Sequence, residues 1–336
     1  MNHYDSMIIG GYGVGNIGDE AILSGMLQKL RERGKDKIVV VSHTPDETES
    51  LHNVEAIPPR MPEIVKYALL SKEIRIGGGG LFSKYIGPYA KKIPYFAIFC
   101  KLLGKRVHWD AIGIYPSAPQ NIHKLLKLAL QLSDSVTVRD NIALKFVSNV
   151  LGVQASLVPD YALYCKPSSS DVASKILDEC GVDLEKKKIG IAPIYSIDYT
   201  NRLKQVYIDF IRAIPSDIEI VLIPFCKHKY EPIEMDHILA YEIKNSLKNR
   251  NNIHIIDRDL TPSDVLSIVG KMDFFIATRL HSAIFAYLSG VKFIDIMYLE
   301  QCEAFLESVG LKHYGIKINE VNAELLLRFA KNVLEL

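Results

Sequence analysis

The stretch FFIATRLHSAIFAYLSGVKFIDIM, Phe274 to Met297, reads as a strand, a helix and a second strand. The segments FFIA and KFIDIM are short apolar runs rich in aromatic and β-branched residues, which is typical of buried strands. Between them, RLHSAIFAYL has apolar residues at the three and four spacing of a helix. This order predicts two parallel strands joined by a crossover helix.

The same alternation extends along the whole chain. Helical patterns lie between the strand-like segments, and one of them, DEAILSGMLQKLRER at 19–33, begins with acids and ends with bases, as the helix dipole favours. We therefore predict an α/β protein with parallel sheets. The predicted strands are 6–11, 37–42, 73–78, 106–113, 135–138, 156–159, 187–193, 218–224, 252–257, 273–278 and 292–297.

A chain of 336 residues is long enough for about two domains. The segment CKPSSSD, 165–171, is short and polar and contains a proline, so it is the best candidate for a linker. We expect two Rossmann-like domains, at 1–166 and 171–336, each with its own sheet.

Composition excludes several classes of protein. The chain is 48% hydrophobic and 24% charged, like an ordinary globular protein, and it shows no long apolar span and no secretory leader, so we expect a cytoplasmic protein. Five scattered cysteines without a C-x-x-C pair argue against a disulfide framework or a zinc site. A net charge of +1 provides no broad positive field for nucleic acid. Any anion must be bound locally.

A glycine-rich turn, GGYGVGNIGDEAIL at 10–23, links the first predicted strand to the first helix. Its spacing formally matches G-x-G-x-x-G, but the second strand ends in Ser42 and His43 instead of the acid that holds a dinucleotide ribose. A tight turn without a ligand is an equal alternative. Asn16 and Asp19 lie where short polar side chains either cap the helix or face a ligand.

Two further loops follow predicted strands. IGGGGLF, 76–82, allows close approach of the backbone to an oxyanion, although a plain loop explains it as well. In VTVRDNIAL, 136–144, Arg139 either pairs with an acid such as Asp140 or points into a cleft at the strand end.

The joint in ATRLHS carries the strongest signal. Thr278 stands at the expected N-cap, which places Arg279 and His281 in the first helical turn. Cationic side chains there are unfavourable to the helix itself, because its amino end already carries partial positive charge. The conflict favours a phosphate or carboxylate pocket. The alternative is a histidine packed in the core and an arginine turned to water.

Taken together, five motifs resemble those of the polysaccharide pyruvyl transferase family, in order and at suitable spacing from about residue 8 to about residue 310. They are GYGVGNIGDEAIL, IGGGGLF, SVTVRDNIALKFV, LVPDYAL and ATRLHSAIFAYLSGVKFIDI. The resemblance implies a GT-B-like architecture, with two Rossmann-like domains facing a cleft, the acceptor on the first and the donor on the second.

The resemblance also implies an activity. Family members transfer the enolpyruvyl unit of phosphoenolpyruvate to sugar hydroxyls of cell-surface polysaccharide precursors, such as those of capsule, exopolysaccharide or cell wall, and form a pyruvate ketal. No metal or organic cofactor is implied. The acceptor is a saccharide, commonly linked to a lipid or a nucleotide, so we expect work in the cytoplasm at the inner face of the membrane, with homo-oligomer formation left open.

Site residues follow from the same resemblance. His281 and Arg279 are the expected catalytic residues, because an imidazole suits proton transfer and a guanidinium suits an oxyanion. We expect the donor to be bound by Arg139, Arg279, Thr278, Ser282 and Gln301. The residues expected on the acceptor side are Gly13, Gly15, Asn16, Gly18, Asp19, Gly78, Gly79 and Gly80.

The chain departs from the family pattern at two places. Gln301 stands where the family usually has a lysine near the donor, and an amide brings no cation. Ile194 and Tyr195 stand where an arginine is often found. Either Lys292 substitutes for the missing lysine, or the donor has changed, or the protein is a weakened relative that binds glycans.

A nucleotide-sugar glycosyltransferase of the same architecture is the main alternative. Glu234 and Glu242 have the eight-residue spacing of two glutamates often found in retaining enzymes of that class. They are more simply explained as a solvated helix face.

Overall fold

The computed structural model of the protein describes residues 3–196, 198–229 and 235–335. The chain divides into two compact units, and a short piece of the glycine-rich turn belongs to the second one. The first unit is Met1–Val14 with Asp19–Tyr164, and the second is Gly15–Gly18 with Cys165–Leu336. The acceptor-side residues predicted for the first domain are therefore divided between the two units.

The first unit contains a seven-stranded parallel sheet with strand order β3-β2-β1-β4-β5-β6-β7. Its strands in chain order are β1 (Tyr4–Ile9), β2 (Ile38–Val41), β3 (Glu55–Ile57), β4 (Ser71–Gly77), β5 (Arg106–Ile112), β6 (Ser135–Val138) and β7 (Ser156–Leu157).

The second unit contains a six-stranded parallel sheet with strand order β10-β9-β8-β11-β12-β13. This is the order of a dinucleotide-binding doubly wound sheet. Its strands are β8 (Lys188–Ile191), β9 (Glu219–Leu222), β10 (Ile253–Ile255), β11 (Phe274–Ala277), β12 (Phe293–Met297) and β13 (Gly315–Lys317).

Helices connect the strands as parallel pairing requires, because a parallel neighbour is reached only by a crossover. Before residue 165 they are α1 (Ile17–Arg31), α2 (Pro45–His52), α3 (Met61–Leu70), α4 (Ile93–Leu102), α5 (His123–Leu132) and α6 (Asn141–Lys145). After it they are α7 (Ser170–Glu179), α8 (Thr200–Ala213), α9 (Asp236–Ser246), α10 (Pro262–Val269), α11 (Leu280–Leu288), α12 (Glu300–Ser308) and α13 (Ala323–Leu334).

Both faces of the first sheet are buried, which explains why its strands are apolar almost throughout. In β1, Met7 and Ile9 belong to one core, while Ile8 packs with Leu23 of α1 in a second. The second sheet has a core of the same kind, in which Ile189 and Ile294 pack with helix residues such as Leu326.

All eleven predicted strands are confirmed to within two residues at each end. The strands β3 and β13, which have three residues each and form one edge of their respective sheets, were not predicted. Neither belongs to an apolar run or alternation long enough to detect. Among the residues that the structure describes, no helix is long and apolar enough to cross a bilayer.

In each sheet the strand order reverses at one point, between β1 and β4 in the first unit and between β8 and β11 in the second. Ligands of open α/β sheets bind beyond the carboxyl ends of the strands at this reversal. Arg279, in the loop after β11, and His281, in the first turn of α11, both lie at the second reversal.

One carboxyl group lies buried in the second sheet itself. Asp295 in β12 is 0% exposed, and neither of its carboxyl oxygens has a hydrogen-bond partner among residues 3–196, 198–229 and 235–335. Its register partners are Ala277 and Gly315, neither of which has a polar side chain. Burial raises the pKa of the Asp295 carboxyl well above its ordinary value, which favours the protonated form in the folded protein.

We predict that Asp295→Asn removes a pH dependence of stability. In the unfolded chain an aspartate releases its proton above about pH 4, whereas folded Asp295 keeps it, so wild-type stability falls as pH rises from there toward the folded pKa. The free energy of unfolding of the Asn variant should rise relative to that of the wild type by up to about 1.4 kcal/mol per pH unit. Urea unfolding of both proteins at pH 5 and pH 7, followed by circular dichroism, measures this. A difference that does not change with pH would contradict it.

Candidate active site

The loop after β11 begins the site. Helix α11 is preceded by Arg279 as its N-cap residue, with extended backbone and no side-chain cap bond, so the prediction that Thr278 is the N-cap is wrong by one residue. The Ser282 hydroxyl accepts from the Thr278 amide at 3.1 Å and donates to the Arg279 carbonyl at 2.6 Å. The Thr278 hydroxyl is 2.8 Å from that of Tyr207. These bonds hold the loop in shape.

Arg279 is bound to a carboxylate that the sequence analysis did not identify. Its Nε donates to Oδ2 of Asp236 at 2.6 Å and its Nη2 donates to Oδ1 at 2.9 Å. Arg279 is 9% exposed and Asp236 is 0% exposed. Burial alone lowers the pKa of Arg279, but the Asp236 carboxylate outweighs it and holds that pKa well above its ordinary value. The guanidinium is therefore permanently charged and fixed in orientation.

Asp236 also accepts from two backbone amides. The Tyr195 amide donates to Oδ1 at 2.9 Å and the Cys226 amide donates to Oδ2 at 3.0 Å. Tyr195 lies in the loop after β8, and Cys226 in the loop after β9. Together with Arg279 after β11, one carboxylate joins the loops at the carboxyl ends of three adjacent strands. We call Asp236 and Arg279 the anchor pair.

The solvated helix face predicted in this segment concerned Glu234 and Glu242, and Asp236 was not identified from the sequence. Glu242, on the same helix, fits that interpretation: its side chain is 40% exposed and pairs with Lys204 at 2.9 Å. Glu234, the other member of the eight-residue pair, lies outside the described residues. No pattern distinguishes Asp236 from its neighbours, because its partners are distant in sequence.

Residues Gly15–Gly18 join this site within the second unit. Asn16 and Cys226 form an antiparallel bridge, which is flanked by bonds from the Ile17 amide to the Phe225 carbonyl at 3.0 Å and from the Lys227 amide to the Gly15 carbonyl at 2.9 Å. The Asn16 side chain accepts from the Gly18 amide at 3.0 Å, which caps the start of α1. Asn16 thus takes the capping role.

Gly18 lies directly against His281. A Cβ atom built on Gly18 would be 2.0 Å from Nδ1 of the His281 ring, so no other residue fits at this position without moving the ring. His281 is the second residue of α11 and is 9% exposed. The structure therefore brings the glycine motif near the start of the chain to the Arg-Leu-His motif more than 260 positions later.

The other predicted acceptor residues lie in the first unit. Cβ atoms built on Gly79 and Gly11 would be 3.0 Å and 3.6 Å from the two carboxylate oxygens of Asp19. Gly78 and Gly79 are buried. The Gly78 amide donates to the Asp110 carbonyl at 3.2 Å, so this amide is already used and does not point to an oxyanion. Gly80 is half-buried. Their role in acceptor binding stays a prediction.

Gly13 is bound to a side-chain pair that the sequence analysis missed. Its amide donates to Oε1 of Glu20 at 2.8 Å, and Oε2 of the same carboxylate is 2.8 Å from Nε2 of His52. Nδ1 of His52 is 3.2 Å from the Ser24 hydroxyl. The spacing of Glu20 and Ser24 on one helix face was a visible signal, but the distant histidine was not.

Arg139 has partners on several sides. Its Nη1 donates to Oδ2 of Asp160 at 2.9 Å, and its Nε and Nη2 both donate to the Tyr115 hydroxyl at 3.1 Å. That hydroxyl in turn donates to Asp140 at 2.7 Å, and Asp140 caps α6 through the Ala143 amide. The Arg139 side chain is 3% exposed. These contacts favour the structural alternative, and donor binding by Arg139 stays a prediction that they do not support.

The two departures from the family pattern have different surroundings. Ile194 is 2% exposed and packs in the core of the second unit, where an arginine would need a buried partner. Gln301 is half-buried and is the second residue of α12. Its place in donor binding stays a prediction.

Comparison with solved structures defines the class. The chain resembles UDP-GlcNAc 2-epimerase from Methanocaldococcus jannaschii with a TM-score of 0.65 and 14% identity over 98% of this chain and 92% of that one. It resembles the ADP-heptose LPS heptosyltransferase II of E. coli with a TM-score of 0.58 and 12% identity over 98% of both chains. It resembles a glycosyltransferase from Rickettsia africae with a TM-score of 0.54 and 12% identity over 99% of both chains. The protein has the two-domain fold of GT-B-type glycosyltransferases and epimerases.

A match to a family model assigns the chain to one family within this fold. The family model described as polysaccharide pyruvyl transferase matches residues 16–299, which include the anchor pair, His281 and Gly18. The chain belongs to the polysaccharide pyruvyl transferase family. No curated protein sequence matches it.

We predict that Asp236→Asn destabilises the protein strongly. The amide removes the negative charge that Arg279 needs and turns an N–H toward groups that are themselves donors. Breaking a buried ion pair costs about 3–5 kcal/mol. The matched control is Glu242→Gln on the same helix, whose exposed pair with Lys204 should contribute less than about 1 kcal/mol. Urea unfolding measures both. Equal effects of the two changes would show that the anchor pair does not hold the loops.

Proposed function

We propose that this protein transfers the pyruvyl group of phosphoenolpyruvate to a sugar of a cell-surface polysaccharide precursor and leaves a pyruvate ketal. Family membership supports pyruvyl transfer at the family level. The observation that carries the residue assignment is the contact of Gly18 with His281 beside the anchor pair. At this site a fixed cation, an imidazole and the amino end of a helix lie together where the strand order of the second sheet reverses.

In this proposal Arg279 binds an oxyanion of the donor. The two bonds to Asp236 use two of the five guanidinium N–H groups, and the proposal assigns the other edge to the carboxylate or phosphate of phosphoenolpyruvate. The amino end of α11 adds backbone N–H groups and a favourable dipole for the same anion. Asp236 neutralises the positive charge of Arg279. The anion in this proposal is therefore held mainly by directed hydrogen bonds and not by a net positive charge.

His281 moves the protons. A sugar hydroxyl oxygen bonds to C2 of phosphoenolpyruvate while C3 takes up a proton, the C2–O bond to phosphate breaks, and a second hydroxyl closes the ketal at C2. Of the two hydroxyl protons, one ends on C3 and the other on the released phosphate. An imidazole with an ordinary pKa near 6.5 both accepts and donates protons near neutral pH. No redox step and no further reactant is needed.

The acceptor side of the proposal keeps the predicted glycine-motif residues. Gly18 lies against His281 in the second unit, where Asn16 caps the helix start through the Gly18 amide, and Asp19 and Gly79 lie together in the first. The acceptor in this proposal is a saccharide linked to a lipid or a nucleotide, and the work takes place at the inner face of the membrane. Arg139 is left out because its partners are Tyr115 and Asp160.

We predict that phosphoenolpyruvate binds to the wild-type protein and binds much less well to Arg279→Lys. Lysine keeps a positive partner for Asp236, so the fold is retained, but it loses the forked donor geometry. Loss of charge-assisted hydrogen bonds of about 1.5–3 kcal/mol corresponds to roughly 10- to 150-fold weaker binding. Isothermal titration calorimetry with phosphoenolpyruvate measures this, with a thermal melt of each variant as the folding check.

The matched control is Arg212→Lys, whose side chain is 58% exposed and pairs only loosely with Asp209, at 3.4 Å. Gly18→Ala, which presses on His281 in the first turn of α11 that is assigned to the anion, should also weaken binding without removing any charge. Gly87→Ala should not, because a Cβ there meets no atom within 4 Å. Unchanged affinity in Arg279→Lys would overturn the donor assignment. Stabilisation by nucleotide sugars alone would point to glycosyl transfer instead.

A further inference from the structure

Helix α4 presents an apolar stripe to solvent. Its most exposed residues are Tyr95 at 64%, Phe99 at 38% and Leu102 at 81%, and Leu103 just beyond the helix is 41% exposed. These positions have the i, i+4, i+7, i+8 spacing that normally faces a core. The opposite side of α4 is buried, with Ala97 and Cys100 at 0%. The helix is therefore apolar on both sides.

The neighbouring helix α5 extends this surface. It packs against α4 and carries Leu128 and Leu132 one turn apart, at 47% and 42% exposure. We call the six side chains together the α4–α5 face: Tyr95, Phe99, Leu102, Leu103, Leu128 and Leu132. Soluble monomers rarely expose so many large apolar side chains on adjacent helices without a partner.

The same part of the chain is strongly basic. Between residues 83 and 133 there are eight Lys and Arg residues and one acid, Asp110, although the whole chain has a net charge of only +1. Asp110 is 5% exposed and bound to Arg75, so it does not offset the surface charge. The eight cations are Lys84, Lys91, Lys92, Lys101, Lys105, Arg106, Lys124 and Lys127.

Some of these cations are engaged elsewhere and others are not. Lys101 pairs with Asp134 at 2.7 Å, and Lys105 donates to the backbone carbonyl of Ser71 at 2.8 Å. In the part of the chain that the structure describes, the exposed Lys91, Lys92, Lys124 and Lys127 form no ion pair. The first two lie in the turn that leads into α4, and the other two lie on α5.

We propose that the α4–α5 face docks the protein on an anionic lipid bilayer. Exposed leucines and aromatic rings enter the boundary between headgroups and acyl chains, and the adjacent lysines contact anionic headgroups. Tyrosine and lysine both suit this interface, since each has an apolar stem and a polar end. The charge of the face selects this partner over a second copy of the chain, because two copies would bring lysines of like charge together. Its apolar stripe selects against nucleic acid, which contacts mainly polar and cationic surfaces.

The inference deepens the membrane association that the proposed function includes, but it depends on the surface alone. It would hold for a different donor, and it would fail without affecting phosphoenolpyruvate binding. It also gives a reason for the helix position: a protein that modifies a lipid-linked saccharide gains from being held where that acceptor is concentrated.

The test is co-sedimentation of the full chain with vesicles of phosphatidylcholine alone and of phosphatidylcholine and phosphatidylglycerol in equal parts. The wild type should sediment with the anionic vesicles only, and added salt should release it. Two variants change exposed positions: Phe99→Ser with Leu102→Ser, and Lys124→Glu with Lys127→Glu. Each should bind at least about tenfold more weakly. The control, Val172→Ser with Leu184→Ser, removes two apolar side chains in the second unit that are 39% and 38% exposed, as Phe99 is.

Calorimetry with phosphoenolpyruvate on the same variants separates the two proposals, since neither variant touches the candidate active site. The proposed docking surface would be contradicted if the wild-type protein did not sediment with anionic vesicles, or if the variants bound them as well as the wild type does. A wild-type dimer that the Phe99→Ser, Leu102→Ser variant dissociates in analytical ultracentrifugation would also overturn it and identify the face as a self-association surface. Tighter binding to duplex DNA than to vesicles would do so as well.

Discussion

The second unit depends on one carboxylate that is completely removed from water. Asp236 accepts hydrogen bonds from the Tyr195 and Cys226 amides and from Nε and Nη2 of Arg279. The loops after β8, β9 and β11 are joined through this carboxylate. A buried charge is tolerated only when it is paired and its lone pairs are satisfied, and this arrangement meets both conditions. The loops cannot move independently without leaving a charge or an amide unsatisfied.

This constraint explains how the rest of the site is positioned. Because Arg279 is held as the N-cap residue, the first turn of α11 has a fixed direction, and His281 is presented beside it. The ring then needs a neighbour without a side chain, which Gly18 supplies. The bridge between Asn16 and Cys226 adds a second hold, since Cys226 is bound both to Asp236 and to the glycine segment.

Much of the fold followed from local pattern, because apolar runs and helical spacing are properties of adjacent residues. The strands β3 and β13 did not, and neither did any partner that is distant in sequence. Arg139 shows the limit clearly: its motif predicted a cation at a strand end, but only the fold brings Asp160 and Tyr115 to it. Arg279 and His281 were predicted from the clash between their charge and the helix dipole. Asp236 carried no such signal, and the Asn16–Gly18 contacts require two segments more than 200 residues apart.

The most direct measurement is hydrogen exchange by mass spectrometry with and without phosphoenolpyruvate. The central claim is that the anchor pair makes the loops after β8, β9 and β11 into one donor-binding unit. The account predicts that the ligand slows exchange together at Tyr195, at Cys226 and in the first turn of α11, and leaves α13 unchanged. Protection confined to one loop, or none at all at a concentration that saturates calorimetric binding, would contradict it.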